Sequence, residues 1–230
     1  TSPTMYLTLL ILFSVLFAVT HIVLSHDPIR SGLITALRGE WPFRGLYSLI
    51  SFATLGGAVA IFWGHRQMGA LLWELPPIAE RVVALPLMLL ALVLLVMSLA
   101  NPSPASMLPG VAEARGVLRI TRHPMNMAFA LFGLAHLVAN GFVGDVFFFG
   151  QFVVVGLLGA YHMDARKVRE KGEEFVAFKR QTSVIPFGAI VAGRNRLEAS
   201  ELGFPLFVIG VAAFVALVVF HGRLFGIALF

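Results

Sequence analysis

Six stretches of this chain are apolar for long enough to cross, or nearly cross, a bilayer, and nothing else in the sequence narrows the fold as much. They are Met5–Ser25, Phe43–Gly64, Val82–Ala100, Pro124–Asn140, Val146–Met163 and Phe204–Phe220. A helix rises ~1.5 Å per residue, so ~20 residues cover a hydrocarbon core of ~30 Å. In hydrocarbon every backbone N–H and C=O must find its partner inside the protein, and a continuous apolar run does this as a helix. Charged residues make up 13% of the chain and hydrophobic ones 58%, about half the charge of a soluble domain; the mean hydropathy is +0.88. The expected fold is an all-α integral membrane protein, a bundle of about six transmembrane helices forming one domain over residues 1–230. The first run is expected to remain as a span. Nothing basic precedes it, and no small-residue cleavage pattern follows Ser25 before the turn at Pro28–Arg30.

The basic residues alternate between connections. Arg30, Arg38 and Arg44 lie in or beside the first, Arg115, Arg119 and Arg122 in the third, and Arg166, Lys167, Arg169, Lys171, Lys179, Arg180, Arg194 and Arg196 in the fifth, which is 14 of the 17. The positive-inside rule then puts these three loops in the cytoplasm and both termini on the other side, in a bacterial cytoplasmic membrane. The same distribution makes the high pI a topology signal and argues against a nucleic-acid partner; the expected surroundings are lipid. Within the longest loop, Asp164–Gln181 sets Val168, Phe175 and Phe178 on one face amid alternating charges, and is expected to form an amphipathic helix along the cytoplasmic headgroups. Gly172 weakens it and Pro186 stops the chain from continuing it. Asn101–Gly110 and Gly188–Gly193 read as loops.

Chemistry is expected near the histidines. The chain has no cysteine, so disulfides, iron–sulfur clusters and thiolate haem ligation are excluded. P-loop, dinucleotide-binding, zincin and serine-hydrolase motifs are missing as well. In the stretch Arg122-His123-Pro124 to His136 and Asn140-Gly141, one histidine stands at the mouth of an apolar run and another deep inside it. An unpartnered imidazole in hydrocarbon costs several kcal/mol, so the stretch reads as part of a site. On one helix these two are separated by ~20 Å of rise and a rotation of roughly 140°, so they cannot share a metal. A ligand partner for His136 must come from another helix; otherwise His136 ties helices together. His26, His65 and His221 are expected to be solvated near span ends, and His162, close to Asp164, to be an interfacial residue.

Three ordered blocks resemble the NnrU family, which includes the 15-cis-zeta-carotene isomerases. They are His21, Arg30, Arg38-Gly-Glu40, Phe43-Arg-Gly-Leu-Tyr47-Ser48; Arg122-His-Pro with Leu-Ala-His136-Leu-Val-Ala-Asn140-Gly141; and Thr182-Ser-Val-Ile-Pro186-Phe. The resemblance implies haem b held by two histidines, which fall on His21 and His136, and a carotenoid or other hydrophobic small molecule as substrate. It also implies a possible link to nitrogen-oxide metabolism or to a membrane-protein partner. The exchangeable cysteine of the isomerases falls on Gly133, a departure that favours electron transfer or sensing over ligand exchange. The expected spans set His21 and His136 roughly 12 Å apart in depth.

A second set of residues, Arg122-His123-Pro124 with Glu173, Glu174, Phe175 and Ile185-Pro186, is similar to isoprenylcysteine and methanethiol methyltransferases. That resemblance implies S-adenosylmethionine at the cytoplasmic mouth, with Arg122 on its carboxylate, His123 in the same turn, and Glu173 or Glu174 on its ribose or amine. The tyrosine these enzymes carry after the proline is replaced here by Met125-Asn126-Met127. A third reading is a non-catalytic membrane subunit or assembly factor whose polar residues only hold helices together.

Overall fold

The computed structural model describes residues 2–100, 103, 113–227 and 229. These form α1 (Pro3–Val23), α2 (Ile29–Ala36), α3 (Glu40–Gly64), α4 (Pro77–Ala100), α5 (Val117–Ile120), α6 (Pro124–Ala139), α7 (Val143–Lys171), α8 (Glu173–Gln181), α9 (Gly188–Val191) and α10 (Phe204–Phe225), with a 3-10 turn at Ala199–Glu201. Five of them, α1, α3, α4, α7 and α10, are long and apolar enough to cross a membrane. The chain is an all-α membrane protein. The fourth expected span, α6, has only 16 residues, about 24 Å of rise against a core of ~30 Å.

The chain divides into two compact units, Thr1–Ala84 with Phe132–His162, and Leu85–Leu131 with Met163–Phe230. In the first unit α1 packs along α3, where Phe13 fills the space that a side chain at Gly57 would take. Leu10, Ala58, Met68, Phe148 and Phe149 form the core, with Phe62 stacked on Phe148 at 4.0 Å. The turn between α6 and α7 is pinned by backbone bonds to the segment after α3. Leu72 N–H donates to Gly141 O at 2.8 Å, Val143 N–H to Ala70 O at 3.0 Å and Gly144 N–H to Met68 O at 2.9 Å. The indole of Trp73 adds a bond to Leu137 O at 3.0 Å. Backbone groups that would be orphaned at the helix ends are satisfied in this way.

Along their shared seam, α6 and α7 approach until backbone meets backbone. A Cβ at Gly133 would lie 2.6 Å from Phe149 O and 2.8 Å from the Val153 side chain. Small residues permit such an approach between membrane helices, where packing replaces the hydrophobic effect as the source of association.

In the second unit α10 reaches α4 where Gly210 faces Val93, and α5 packs on α9. The expected amphipathic helix over 164–181 is divided. Residues 164–171 continue α7, Gly172 turns the chain at φ +59°, and α8 begins at Glu173. Phe175 and Phe178 are 0% and 2% exposed, so protein covers the apolar face of α8. The expected loop at Gly188–Gly193 begins with the helical turn α9. The expected loop Asn101–Gly110 lies, Ser103 apart, outside the described residues.

A methyl group at Gly133 would have to push α6 from α7. Gly133→Ala is expected to destabilise the protein by about 1–3 kcal/mol, the usual cost of overpacking. Thermal unfolding in detergent reads this as a lower midpoint, and an unchanged midpoint would show that the seam gives way easily.

Candidate functional site

At the basic end of the second unit the sequence motifs close on one carboxylate. Thr121 is extended, and Pro124 then starts α6 at the position where a missing N–H costs nothing. Between them Arg122 turns inward. Its Nε and Nη2 donate to Asp164 at 3.0 and 2.6 Å, and its Nη1 donates to Thr182 O at 3.1 Å. His123 Nε2–H donates to Asp164 Oδ1 at 2.8 Å. Lys179 Nζ stands 3.8 Å from the same carboxylate. The backbone joins in: Arg122 N–H donates to Ser183 O at 2.9 Å and Phe187 N–H to Ile120 O at 2.8 Å. The hydroxyl of Thr121 donates to Val184 O and that of Ser103 to Arg122 O, both at 2.5 Å. The Arg-His-Pro block and the Thr182–Phe187 block thus form one knot.

The knot is closed. Arg122, His123 and Asp164 are 7%, 2% and 3% exposed, and all three guanidinium nitrogens are engaged inside the protein. Arg122 therefore presents no open fork to a ligand carboxylate, and Glu174 is exposed in the first turn of α8. The structure joins Arg122 to His123 but does not bring Glu174 to them, so the set expected for S-adenosylmethionine is not assembled. Burial lowers the pKa of His123, against the pull of its bond to Asp164. Arg122 already matches the carboxylate charge, and an imidazolium would add an unmatched buried cation. Beside the knot, Arg119 grips Glu201 with two bonds of 2.7 and 2.9 Å. That grip, with the Gly116 N–H, holds the Glu201 carboxyl at about 2.

The first resemblance block gathers at one end of the first unit. His21 lies in the last turn of α1, its Nδ1 3.4 Å from Ser51 Oγ on α3. Phe17 and Tyr47 flank its ring at 5.2 and 5.0 Å, and the Tyr47 hydroxyl donates to His21 O at 3.1 Å. Glu40 accepts from Arg30 and, at 3.1 Å, from Arg44. With Nδ1 facing Ser51, the Nε2 of His21 is the nitrogen left to exchange a proton or meet a ligand.

His136 is elsewhere. Its Nδ1–H donates to Phe132 O at 2.9 Å, and its ring stacks on Phe149 at 4.5 Å. Two fixed points give the register of α1 against α7: His26 meets His162, and Leu10 shares a core cluster with Phe148 and Phe149. His21 is then level with about residue 157 and His136 with Phe149, roughly 12 Å apart along the helices. Metal–imidazole bonds are about 2.0–2.1 Å, so two histidines on one iron need nitrogens about 4 Å apart. As arranged, His21 and His136 do not fit as the axial pair of one haem. The packing around Gly133 also has no room for a cysteine side chain.

Two partners went unread in the sequence. Asp164 was legible in principle, because a lone acid at the end of a long apolar run needs a cation. The pairing of His26 with His162 crosses 136 residues and carries no local signal. His26 is exposed, as expected, and His162 is partly buried. Among the described residues, no group of three or more His, Cys, Asp or Glu side chains is gathered to hold a metal.

Fold and sites define a helical membrane protein with a polar knot in one unit and a histidine-centred cluster in the other. The chain belongs to the NnrU family: the sequence model described as NnrU protein matches residues 9–229. It is similar to the protein named 15-cis-zeta-carotene isomerase, chloroplastic, of Arabidopsis thaliana, 32% identical over 208 residues, covering 85% of this chain and 53% of that protein. The protein of the same name from Zea mays is 28% identical over 202 residues, covering 82% and 52%. The chain spans about half the length of the curated relatives it matches. No solved structure matches it.

Removing Arg122 would leave Asp164 buried without its main partner, so Arg122→Ala is expected to cost about 3–5 kcal/mol in unfolding free energy. Loss of less than 1 kcal/mol, on the same scale as an exposed pair, would show that the knot is solvated. His123 supplies the pH test. Its folded pKa lies below the ordinary 6.5, so the unfolded chain binds the proton more readily and stability falls as pH drops through about 6.5. His123→Gln should flatten the unfolding midpoint between about pH 7 and pH 5 relative to the parent; an equal slope in both would place the titration elsewhere.

Proposed function

We propose that this chain is a membrane-embedded, isomerase-like protein acting on an extended apolar polyene of the carotenoid class, with His21 as the residue that meets it. One observation carries the reading: similarity to 15-cis-zeta-carotene isomerase runs through 85% of the chain at 32% identity. The physical setting supports it. A polyene dissolves in the bilayer, and few residues of α1 and α3 are fully buried, 17% and 6% of the most apolar stretch of each. The cavity beside Trp73, Glu74 and Asn140 measures about 220 Å³, below the ~300–1,000 Å³ of pockets that enclose a small molecule. We assign the polyene to the lipid-facing surface of α1 and α3, where His21 and Tyr47 are half-buried with ring centroids 5.0 Å apart.

The test is isomer composition. In bacteria accumulating 15-cis-zeta-carotene, expression of the chain is expected to deplete that isomer, resolved by chromatography in the dark. His21→Ala should lower the conversion at least about tenfold, ~1.4 kcal/mol, at equal membrane content, while His221→Ala should not. An unchanged isomer pool, with the chain folded and inserted, would remove the proposal.

A further inference from the structure

Two histidines far apart in the chain bring ring nitrogens together. His26 follows α1 on the turn held by the bond from its N–H to Val23 O at 3.2 Å. His162 projects from α7, whose helical course fixes its height. His26 Nδ1 and His162 Nε2 are 2.6 Å apart, and the ring planes differ by 4°. As a hydrogen bond this would be short, because N–H donors usually sit about 2.7–3.2 Å from their acceptors. Two imidazoles bound side by side on one ion, at bonds of about 2.0–2.1 Å, have nitrogens about 2.9–3.4 Å apart. An opening of about 0.3–0.8 Å gives that spacing, and the rings, stacked with centroids 4.4 Å apart, turn so that both lone pairs face the ion. His26 is exposed and His162 only partly buried, so an ion can reach the pair from solvent.

We infer that His26 and His162 form a binding site for a divalent first-row transition ion, the class that imidazole nitrogens favour over magnesium or calcium. Both rings bind as neutral ligands. The N–H shared between them moves to the far nitrogen of the donating ring, so no net proton is released. Two protein ligands leave the remaining positions to water, which makes the ion exchangeable. The site is separate from His21 and His136 and does not depend on the proposed isomerase activity.

Copper provides the test. The full chain, purified without a polyhistidine tag in detergent, is titrated with Cu2+ and followed by electron paramagnetic resonance. One Cu2+ per chain is expected, with splitting from two imidazole nitrogens, and Zn2+ should displace it. His26→Ala and His162→Ala should each weaken binding at least about tenfold and reduce the pattern to one nitrogen or none; His65→Ala and His221→Ala should leave both unchanged. Zn2+ should also raise the thermal midpoint of the parent but not of His26→Gln, a variant in an exposed turn that keeps the fold. Unaltered copper affinity in either alanine variant, or no bound copper in the folded parent, would overturn the inference.

Discussion

Asp164 is the group on which the basic end of the protein depends. A carboxylate taken out of water loses several kcal/mol of hydration unless cations and N–H groups replace it. Here the replacement comes from a guanidinium and an imidazole of adjacent residues. Those two residues cannot reach the carboxylate unless the turn before α6 is extended and the chain at Thr182–Val184 lies alongside to take the remaining donors. One buried charge therefore dictates the conformation of three separate segments. Such an arrangement specifies structure more than it adds net stability, since a hydrophobic substitute of the same shape could be equally stable. Its completeness is what separates Arg122 from a ligand-binding arginine.

The helices were legible because length and hydropathy act locally. All six runs appear as helices, and their ends move by a few residues where polar side chains find partners: α7 continues to Lys171 because Asp164 is matched and the following charges are solvated. The division at Gly172 was half legible. The glycine was seen as a weak point, but the burial of Phe175 and Phe178 depends on what packs over them. The knot was legible as two motifs and not as one object, for Arg122 and Thr182 meet only through the fold. His21 could be singled out, although its partners Tyr47 and Ser51 lie a span away.

The family assignment and the geometry bear on different matters. Membership rests on a match over residues 9–229, and the proposed isomerisation rests separately on the similarity to the two named isomerases. The arrangement of His21 and His136 bears on which groups could share a metal, and it separates them by more than two helical turns. Gly133 belongs to that second matter: its place is decided by the contact between two helices, and the thiol of the relatives would have to displace Phe149 or Val153.

The shortness of α6 has a consequence for the surrounding lipid. A 16-residue apolar helix matches a hydrocarbon layer of about 24 Å, while the 25 residues of α3 can tilt within a thicker one. Lipid next to α6 must thin, or the polar ends of the helix must be drawn toward the acyl chains, at a cost of a fraction of a kcal/mol per ångström of mismatch. Acyl-chain length then becomes a variable to which this protein responds. The five longer helices, of 21–29 residues, fit a full-thickness layer, so the deformation is confined to the stretch that Arg122 and Asn140 bracket.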